Sequence, residues 1–330
     1  LLSGTVTPTR AGEQFTTLAN TLVRHLFAAV RREFDRRHGV VPGATVGLLA
    51  FGKMASREMT ATSDLDFILL YDVEGEAEES DGDKPLAASH YFARLTQRLV
   101  AAVTAPTSEG VLYEADMRLR PSGNAGPLAT SLKGFLGYHE REAWTWEHLA
   151  LSRARVVDAD AGLAPRVDAA IEQVLSRPRD AGKTIADVLD MRERLARDRK
   201  PRHPFDLKLA AGGLVDLEFM AQSAQLVARA RLALPQAGTA DTLARMGEVG
   251  LLPEAERLVE IHRTYSTVLQ VMSAALSDPF RDEGWTAAFR ELLARQTNMP
   301  NFERLSGELR AMQDEVGAAA AAWYERAAKE

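Results

Sequence analysis

The chain has 330 residues, of which 46% are hydrophobic and 7% aromatic, enough to bury a core and to form two domains. It has no cysteine, which excludes disulfides, thiolate metal sites and a cysteine nucleophile, so a metal would need oxygen or imidazole ligands. The formal net charge of −6 does not suit a protein that neutralises many nucleic-acid phosphates. We therefore expect a nucleotide or a protein as partner and no nucleic acid.

The ends and the hydropathy of the chain bear on where it acts. No run of 18 apolar residues and no signal pattern occurs, so the sequence predicts no membrane partner, no export and a cytoplasmic location. The chain begins with Leu1 rather than methionine, which indicates a part of a longer protein.

Hydrophobic spacing predicts alternating helices and strands in the first half of the chain. The predicted helices are residues 12–38 and 87–104, and the predicted strands are residues 45–51, 65–71 and 111–118. An acidic stretch over residues 72–85, which includes Glu76, predicts a solvated loop.

Helical spacing dominates from about residue 131 onward. The predicted elements include helices over residues 183–199, 214–232, 254–277 and 301–327 and one strand-like piece at residues 205–209. The whole pattern predicts an α+β fold with an N-terminal domain of residues 1–157 and an all-helical domain of residues 158–330.

Two close aspartates are the main chemical signal. Ten residues separate Gly52-Lys53 from Asp64-Leu65-Asp66, and Ser63 directly precedes the first aspartate. Because side chains of a strand alternate between its faces, Asp64 and Asp66 project from the same side. Such carboxylates repel one another unless a cation lies between them, and Mg²⁺ prefers oxygen ligands that include substrate phosphates. The pair therefore predicts a metal–nucleotide site, with an ordinary turn or helix cap as the alternative.

A second predicted strand adds a third carboxylate and two cations. In residues 113–120, Glu114, Asp116, Arg118 and Arg120 alternate with other residues and would share one face. Arginine suits phosphate because its planar guanidinium donates two parallel hydrogen bonds. A solvated edge strand is the alternative interpretation. Neither a P-loop, nor a G-x-G-x-x-G turn, nor an H-E-x-x-H zinc motif occurs.

These motifs together resemble a known family. The spacing of Gly52-Lys53, Asp64, Asp66 and a later Asp116 resembles the polymerase-beta nucleotidyltransferase superfamily. Within it, the segments similar to glutamine synthetase adenylyltransferases are residues 51–54, 63–66, 116–123, 141–148, 153–157 and 212–219. The resemblance covers residues 45–225.

This resemblance implies a polymerase-beta-like nucleotidyltransferase domain followed by a helical bundle domain. The implied enzyme moves AMP from ATP to a tyrosine of glutamine synthetase and so regulates nitrogen assimilation. A site for two magnesium ions is implied at Asp64, Asp66 and Asp116, which are also the implied catalytic residues. Asp116 is then also the expected acceptor of the tyrosine proton.

Contacts to the nucleotide are implied for Gly52, Lys53, Ser63, Arg118 and Arg120. The PII signal protein and glutamine are implied regulators, although no residue identifies their sites. One departure concerns Ala55, because family members commonly have glycine there. If that glycine needs a positive φ, alanine would strain the turn.

The family has two related catalytic halves, one that adds adenylyl groups and one that removes them by phosphorolysis. Residues 143–148 contain Trp144 and Trp146 and resemble the adding half. We expect core packing for at least one of these tryptophans rather than stacking on adenine. The removing half is the first alternative function and a non-catalytic regulatory module is the second. An RNA nucleotidyltransferase is the third and is disfavoured by the acidic charge.

Overall fold

The computed structural model describes residues 1–75, 77–281 and 284–329. Its mixture of a small sheet and many helices confirms the predicted α+β class. The contacts divide it into two compact units, which we call the sheet unit (residues 16–57 and 63–177) and the helical unit (residues 1–15 and 58–62, with the chain from Pro178 onward). The domain boundary predicted after residue 157 remains a prediction. None of the described helices combines the length and apolar content that crossing a membrane requires.

The sheet unit contains five strands and six α-helices among its described residues. The strands are β1 (Ala44–Ala50), β2 (Leu65–Val73), β3 (Ala115–Asp116), β4 (Ala129–Ser131) and β5 (Arg155–Ala159). The helices are α1 (Pro8–His38, from Thr16 onward), α2 (Gly52–Ser56), α3 (Ala88–Val103), α4 (Leu132–Arg141), α5 (Thr145–Leu151) and α6 (Leu163–Leu175).

The strand order β3-β2-β1-β5 makes β2 a central strand, and β4 pairs with β2 further along. β1 is antiparallel to both β2 and β5, whereas β2 is parallel to β3 and β4. β2 is buried from Phe67 to Leu70 without alternation, as expected of a strand covered on both faces. This buried run fixes the position of its polar beginning, where Asp66 lies.

The helical unit contains the beginning of α1 and seven further α-helices among its described residues. They are α7 (Ala181–Asp198), α8 (Leu214–Val227), α9 (Arg229–Leu232), α10 (Thr239–Glu248), α11 (Ala255–Ala275), α12 (Ala287–Gln296) and α13 (Phe302–Ala327). Residues 58–62 join this unit because α11 holds them: Gln270 Nε2 donates to the Met59 carbonyl at 2.7 Å, and Ser273 Oγ accepts from the Thr62 N–H at 3.2 Å.

The family-like segment 212–219 has a structural role in the helical unit. Asp216 accepts a hydrogen bond from the Gly212 N–H at 2.7 Å and forms an ion pair with Arg192 at 2.5 Å. Gly212 has a φ of +68°, and a Cβ there would lie 1.9 Å from the Gln313 carbonyl oxygen. The segment therefore joins α7, α8 and α13.

Most predicted helices and the first two predicted strands are confirmed within a few residues. The strand predicted over residues 111–118 is wrong except at β3. It ends after Asp116, where the Asp116 carboxylate accepts from the Arg118 N–H at 2.9 Å and the chain turns. Residues 205–209 form turns rather than a strand, and the helix predicted over residues 214–232 is interrupted at Ala228.

Two strands were not predicted, namely β4 and β5. Both are short and lie at the sheet beside longer neighbours, so pairing rather than local pattern forms them. The acidic stretch starts inside β2, and its Glu76 lies outside the described residues.

Candidate active site

Asp66 and Asp116 lie side by side on neighbouring strands. They are register partners in the parallel pairing of β2 with β3. Partners in such a pairing have their Cα atoms about 4.8 Å apart and their side chains on the same face of the sheet. Asp64 directly precedes β2 and is exposed. The two sequence segments that were predicted to carry the carboxylates therefore meet at one end of β2.

The glycine turn lies against the Asp66 side chain. Gly52 begins α2 with a φ of +53°, and a Cβ at this position would lie 2.2 Å from Asp66 Oδ2. The Phe51 N–H also donates to the Asp66 carbonyl at 2.9 Å. Only glycine allows this approach, because any larger residue would displace the carboxylate.

Ala55 is tolerated in this turn. It lies inside α2 and is 3% exposed. The left-handed residue that ends the helix is Arg57, with a φ of 63°. A helical backbone imposes no penalty on alanine, so the departure from glycine does not strain the turn.

Arg155 fastens α2 to the sheet. From β5 its Nε donates to the Ala55 carbonyl at 3.2 Å and its Nη2 donates to the Met54 carbonyl at 3.1 Å. Burial, and then the nearby Arg57, lower the pKa of this guanidinium. Arg155 was predicted only as part of a motif, since the sequence did not indicate that its partners are backbone carbonyls of the glycine turn.

Arg118 pairs with Asp116. Its Nε lies 2.8 Å from Oδ2 and 3.0 Å from Oδ1 of the carboxylate, and its Nη2 also donates to Oδ2. These hydrogen bonds hold the pKa of Asp116 below its ordinary value, and they raise that of Arg118. The Arg118 side chain remains 67% exposed. A predicted phosphate contact and a predicted metal ligand thus neutralise each other.

Arg120 is buried and braces the chain that follows β3. Its Nη1 donates to the Met117 carbonyl at 2.9 Å, and its Nε lies 3.5 Å from the Gly126 carbonyl oxygen. Burial lowers the pKa of Arg120. Gly126 allows this turn, because a Cβ there would lie 1.9 Å from the Pro121 carbonyl oxygen.

A cavity of about 630 Å³ opens beside these residues. Its lining residues are Asp64, Gln97, Val100, Ala101, Glu114, Ala115, Asp116, Met117, Arg118, Arg120, Asn124 and Leu128. Four predicted site residues are thus brought together: Asp64, Asp116, Arg118 and Arg120. The other four are not in the lining. Gly52 lies against Asp66, the register partner of Asp116, and Lys53 and Ser63 follow and precede this region in sequence.

Sequence reasoning missed the contribution of α3. Gln97, Val100 and Ala101 form one wall of the cavity. Gln97 is exposed on an amphipathic helix and is indistinguishable, in sequence, from any solvated polar residue.

A hydrogen-bonded network connects α4 to the start of α5. The Tyr138 hydroxyl donates to Glu147 Oε1 at 2.9 Å, and Glu147 in turn accepts from the backbone N–H of Trp144 at 2.8 Å. Trp144 is 72% exposed and Trp146 is 41% exposed. The prediction that at least one of the two tryptophans packs in the core is wrong.

The donor set suits a magnesium ion although the geometry is not that of a formed metal site. No three His, Asp or Glu side chains form a metal-binding group in the described part of the chain. The adjacent Asp66 and Asp116 nevertheless provide carboxylate oxygens, the ligands that magnesium prefers. Arg118 supplies the compensating positive charge at Asp116.

Comparison with known proteins gave two family matches. Residues 2–170 match the family model described as glutamate-ammonia ligase adenylyltransferase. Residues 186–320 match the family model described as GlnD PII-uridylyltransferase. The first match contains all the predicted site residues, and the second lies in the helical unit.

Curated relatives are similar along nearly the whole chain. The bifunctional glutamine synthetase adenylyltransferase/adenylyl-removing enzyme of Brucella suis biovar 1 (strain 1330) is 48% identical over 310 residues, which are 94% of this chain and 32% of the relative. The enzymes of the same name from Mesorhizobium japonicum and Bradyrhizobium sp. (strain BTAi1) are 44% and 42% identical, each over 96% of this chain and 32% of the relative. The chain thus spans about a third of the length of these relatives.

Proposed function

The chain belongs to the glutamate-ammonia ligase adenylyltransferase family, and we propose that it is a nucleotidyltransferase that moves AMP from ATP to a tyrosine of glutamine synthetase. The names of its relatives support glutamine synthetase as the protein substrate.

One observation carries the proposal. Asp64, Asp116 and Arg118 line a single cavity, and Asp66 is the register partner of Asp116. Adjacent carboxylates suit a cation that accompanies nucleotide phosphates, and an exposed guanidinium suits the phosphates themselves. A regulatory module without catalysis would not need this combination.

Magnesium fits these residues, and Asp64, Asp66 and Asp116 would hold it. When bound, it would withdraw charge from the phosphate oxygens and balance the charge of the carboxylates. Gly52 supports this role, since its lack of a side chain allows Asp66 to keep its position. For nucleotide contacts we propose Gly52, Lys53, Ser63 and Arg118, whereas Arg120 would act by bracing the turn after β3.

The reaction joins the phenolic oxygen of the acceptor tyrosine to the α-phosphorus of ATP. The bond between that phosphorus and the oxygen bridging to the β-phosphate breaks, and pyrophosphate leaves with the electron pair. The phenol loses its proton, whose acceptor we propose to be Asp116. Tyrosine has an ordinary pKa of about 10, so the reaction at neutral pH requires such an acceptor.

Arg118 determines when Asp116 can accept a proton. While Arg118 binds it, the pKa of Asp116 is lowered and the carboxylate is a weaker base. The exposed Arg118 side chain is free of the core and can turn to a phosphate oxygen when ATP is present. We expect this exchange to free the Asp116 carboxylate from Arg118 when ATP and the acceptor tyrosine are bound.

The helical unit is where we expect regulation. The similarity of residues 186–320 to GlnD PII-uridylyltransferase supports the PII signal protein as a partner. Glutamine stays a predicted effector. The cytoplasm, where ATP and glutamine synthetase meet, stays the predicted location.

Incubation of the chain with α-labelled ATP, magnesium and unmodified glutamine synthetase tests the proposal. We expect label on tyrosine of the synthetase, and no label with the double variant Asp64→Asn/Asp66→Asn. Both substitutions remove charge without changing shape, so circular dichroism should show an unchanged fold.

The names of the relatives include an adenylyl-removing activity, which is the second candidate function. The same mixture can be tested with adenylylated synthetase and phosphate in place of ATP. Release of ADP without transfer from ATP would overturn the proposed direction. If neither product forms, the proposal that this chain is catalytic is overturned altogether.

A further inference from the structure

Two exposed tryptophans lie at the start of α5. Trp144 and Trp146 are 72% and 41% exposed, whereas Trp285 and Trp323 are 6% and 1% exposed. Exposed indoles are costly to hydrate and are enriched at the centres of protein interfaces. The exposed pair therefore requires an explanation other than core packing.

The position of Trp144 is connected to Tyr138 on α4. The backbone N–H of Trp144 donates to Glu147 at 2.8 Å, and Glu147 accepts from the Tyr138 hydroxyl at 2.9 Å. The Tyr138 hydroxyl lies near the Ser122 backbone, which acts to lower its pKa. Ser122 is two residues from Asn124, which lines the cavity. The start of α5 is thus connected to a tyrosine that lies near the loop containing Asn124.

A second exposed apolar pair lies in the segment that leads into the cavity wall. Val111 and Leu112 are 46% and 58% exposed, and Glu114 of the cavity wall follows two residues later. With Trp144 and Trp146, they make up four of the eight exposed large apolar side chains among the described residues.

The described lining of the cavity offers no aromatic partner for the ring of an acceptor tyrosine. No aromatic residue occurs in its described lining, which is rich in charged and amide side chains. This lining suits the phosphates of a nucleotide. Recognition of a protein must therefore come from outside the cavity, and apolar side chains are present there.

We propose that Trp144 and Trp146, assisted by Val111 and Leu112, form the docking surface for the segment of glutamine synthetase that carries the acceptor tyrosine. This inference rests on the proposed function. The indoles would hold the protein substrate next to the cavity, so that its tyrosine enters towards Asp116. They touch the substrate and are not part of the nucleotide site.

Initial rates of transfer test the surface when the concentrations of synthetase and ATP are varied separately. Trp144→Ala and Trp146→Ala should each raise the KM for synthetase about tenfold or more, as expected of anchor residues. The kcat and the KM for ATP should stay within about twofold. Trp144→Phe should recover part of the loss. Trp144→Ala removes the indole but keeps the backbone N–H of residue 144 and its hydrogen bond to Glu147.

Leu112→Ala and Leu18→Ala form a matched pair. Both leucines belong to the sheet unit and are similarly exposed, at 58% and 50%. Leu112→Ala should raise the KM for synthetase about threefold or more, whereas Leu18→Ala on α1 should not change it.

Contact can be observed directly with 5-fluorotryptophan in the wild-type chain. The ¹⁹F signals of positions 144 and 146 should shift when unmodified synthetase is added, and those of the buried positions 285 and 323 should not.

The outcomes separate the two proposals. If the wild-type chain transfers no label to tyrosine, the proposed function fails. If it transfers label and the tryptophan variants keep the wild-type KM for synthetase, the docking surface is wrong. A rise confined to the KM for ATP would assign the indoles to the nucleotide and would equally overturn this inference.

Discussion

Arg118 and Asp116 form an ion pair at the wall of the cavity, with the arginine Nε 2.8 Å from Oδ2 of the carboxylate. Arg118→Gln should raise the pKa of Asp116 towards its ordinary value, because the hydrogen bonds from Arg118 are the largest cause that lowers it. A ¹³C NMR titration of the aspartate carboxyl groups measures this shift. An unchanged pKa would show that other groups hold the carboxylate ionised.

The same ion pair has a consequence for stability. A carboxyl whose pKa is lowered in the folded state adds stability above its unfolded pKa of about 3.9, and this stability is lost as the pH falls through the folded pKa. Arg118→Gln should therefore lower the free energy of unfolding at neutral pH and not at strongly acidic pH. Because Arg118 is 67% exposed, the difference should be below about 1 kcal/mol.

Asp116→Asn tests the carboxylates themselves. The amide keeps the shape but removes the charge and the proton acceptor, so transfer should fall by about two orders of magnitude or more. Glu114→Gln is the matched control, because Glu114 also lines the cavity but has no register partner among the predicted ligands. Equal losses in both variants would mean that only the negative potential of the cavity matters.

The pairing of Asp66 with Asp116 could be predicted only in part. Alternating patterns indicated strands, and the resemblance indicated that the two segments share a site. The register between β2 and β3 depends on contacts between residues far apart in sequence, which no local pattern encodes. The short length of β3 could not be anticipated, because it results from the turn that Asp116 itself makes with the Arg118 N–H.

Roles of arginines were the least predictable part of the site. Arg118 and Arg120 look equivalent in sequence. Arg118 is nevertheless exposed and binds a carboxylate, whereas Arg120 is buried and binds backbone carbonyls. Arg155 is separated by 100 residues from the turn that it holds. Guanidinium groups bind carboxylates, phosphates and carbonyls alike, so only the tertiary structure decides among these partners.

Arg155→Met should loosen the glycine turn. It would leave the Met54 and Ala55 carbonyls without these donors, which should cost about 1–3 kcal/mol in urea unfolding and raise the KM for ATP. Arg24→Met is the control, since Arg24 has a side chain that is 59% exposed and forms an ion pair with Asp158 of β5. A normal KM for ATP in Arg155→Met would exclude a role of the turn in nucleotide binding.

His139 should make the protein sensitive to acid. Burial, and then the charge of His148, lower the pKa of His139 to about 3. An unfolded histidine has a pKa of about 6.5, so between these values the unfolded chain binds a proton that the folded chain does not. Stability should fall with falling pH in this window by up to about 1.4 kcal/mol per pH unit.

His139→Leu removes this contribution and keeps an apolar side chain beside Phe135, whose ring lies 4.5 Å away. Unfolding free energies measured across the window should depend less on pH in the variant. His90→Gln, at an exposed position of α3, should leave the wild-type dependence unchanged. If the unfolding free energy of His139→Leu depends on pH as strongly as that of the wild type, the acid sensitivity belongs to other groups.

Gly52 provides the sharpest test of the site geometry. Gly52→Ala adds a Cβ that would lie 2.2 Å from Asp66 Oδ2, at a backbone φ of +53°. Gly162→Ala is the matched control, because Gly162 also has a positive φ, of +82°, and no atom lies within 4 Å of the added Cβ among the described residues.

Both variants should lose about 1 kcal/mol of stability from the backbone alone. Only Gly52→Ala should also lose transfer, by about tenfold or more, because it displaces a carboxylate from beside Asp116. Equal activity in the two variants would mean that Asp66 tolerates displacement and does not contribute to the reaction.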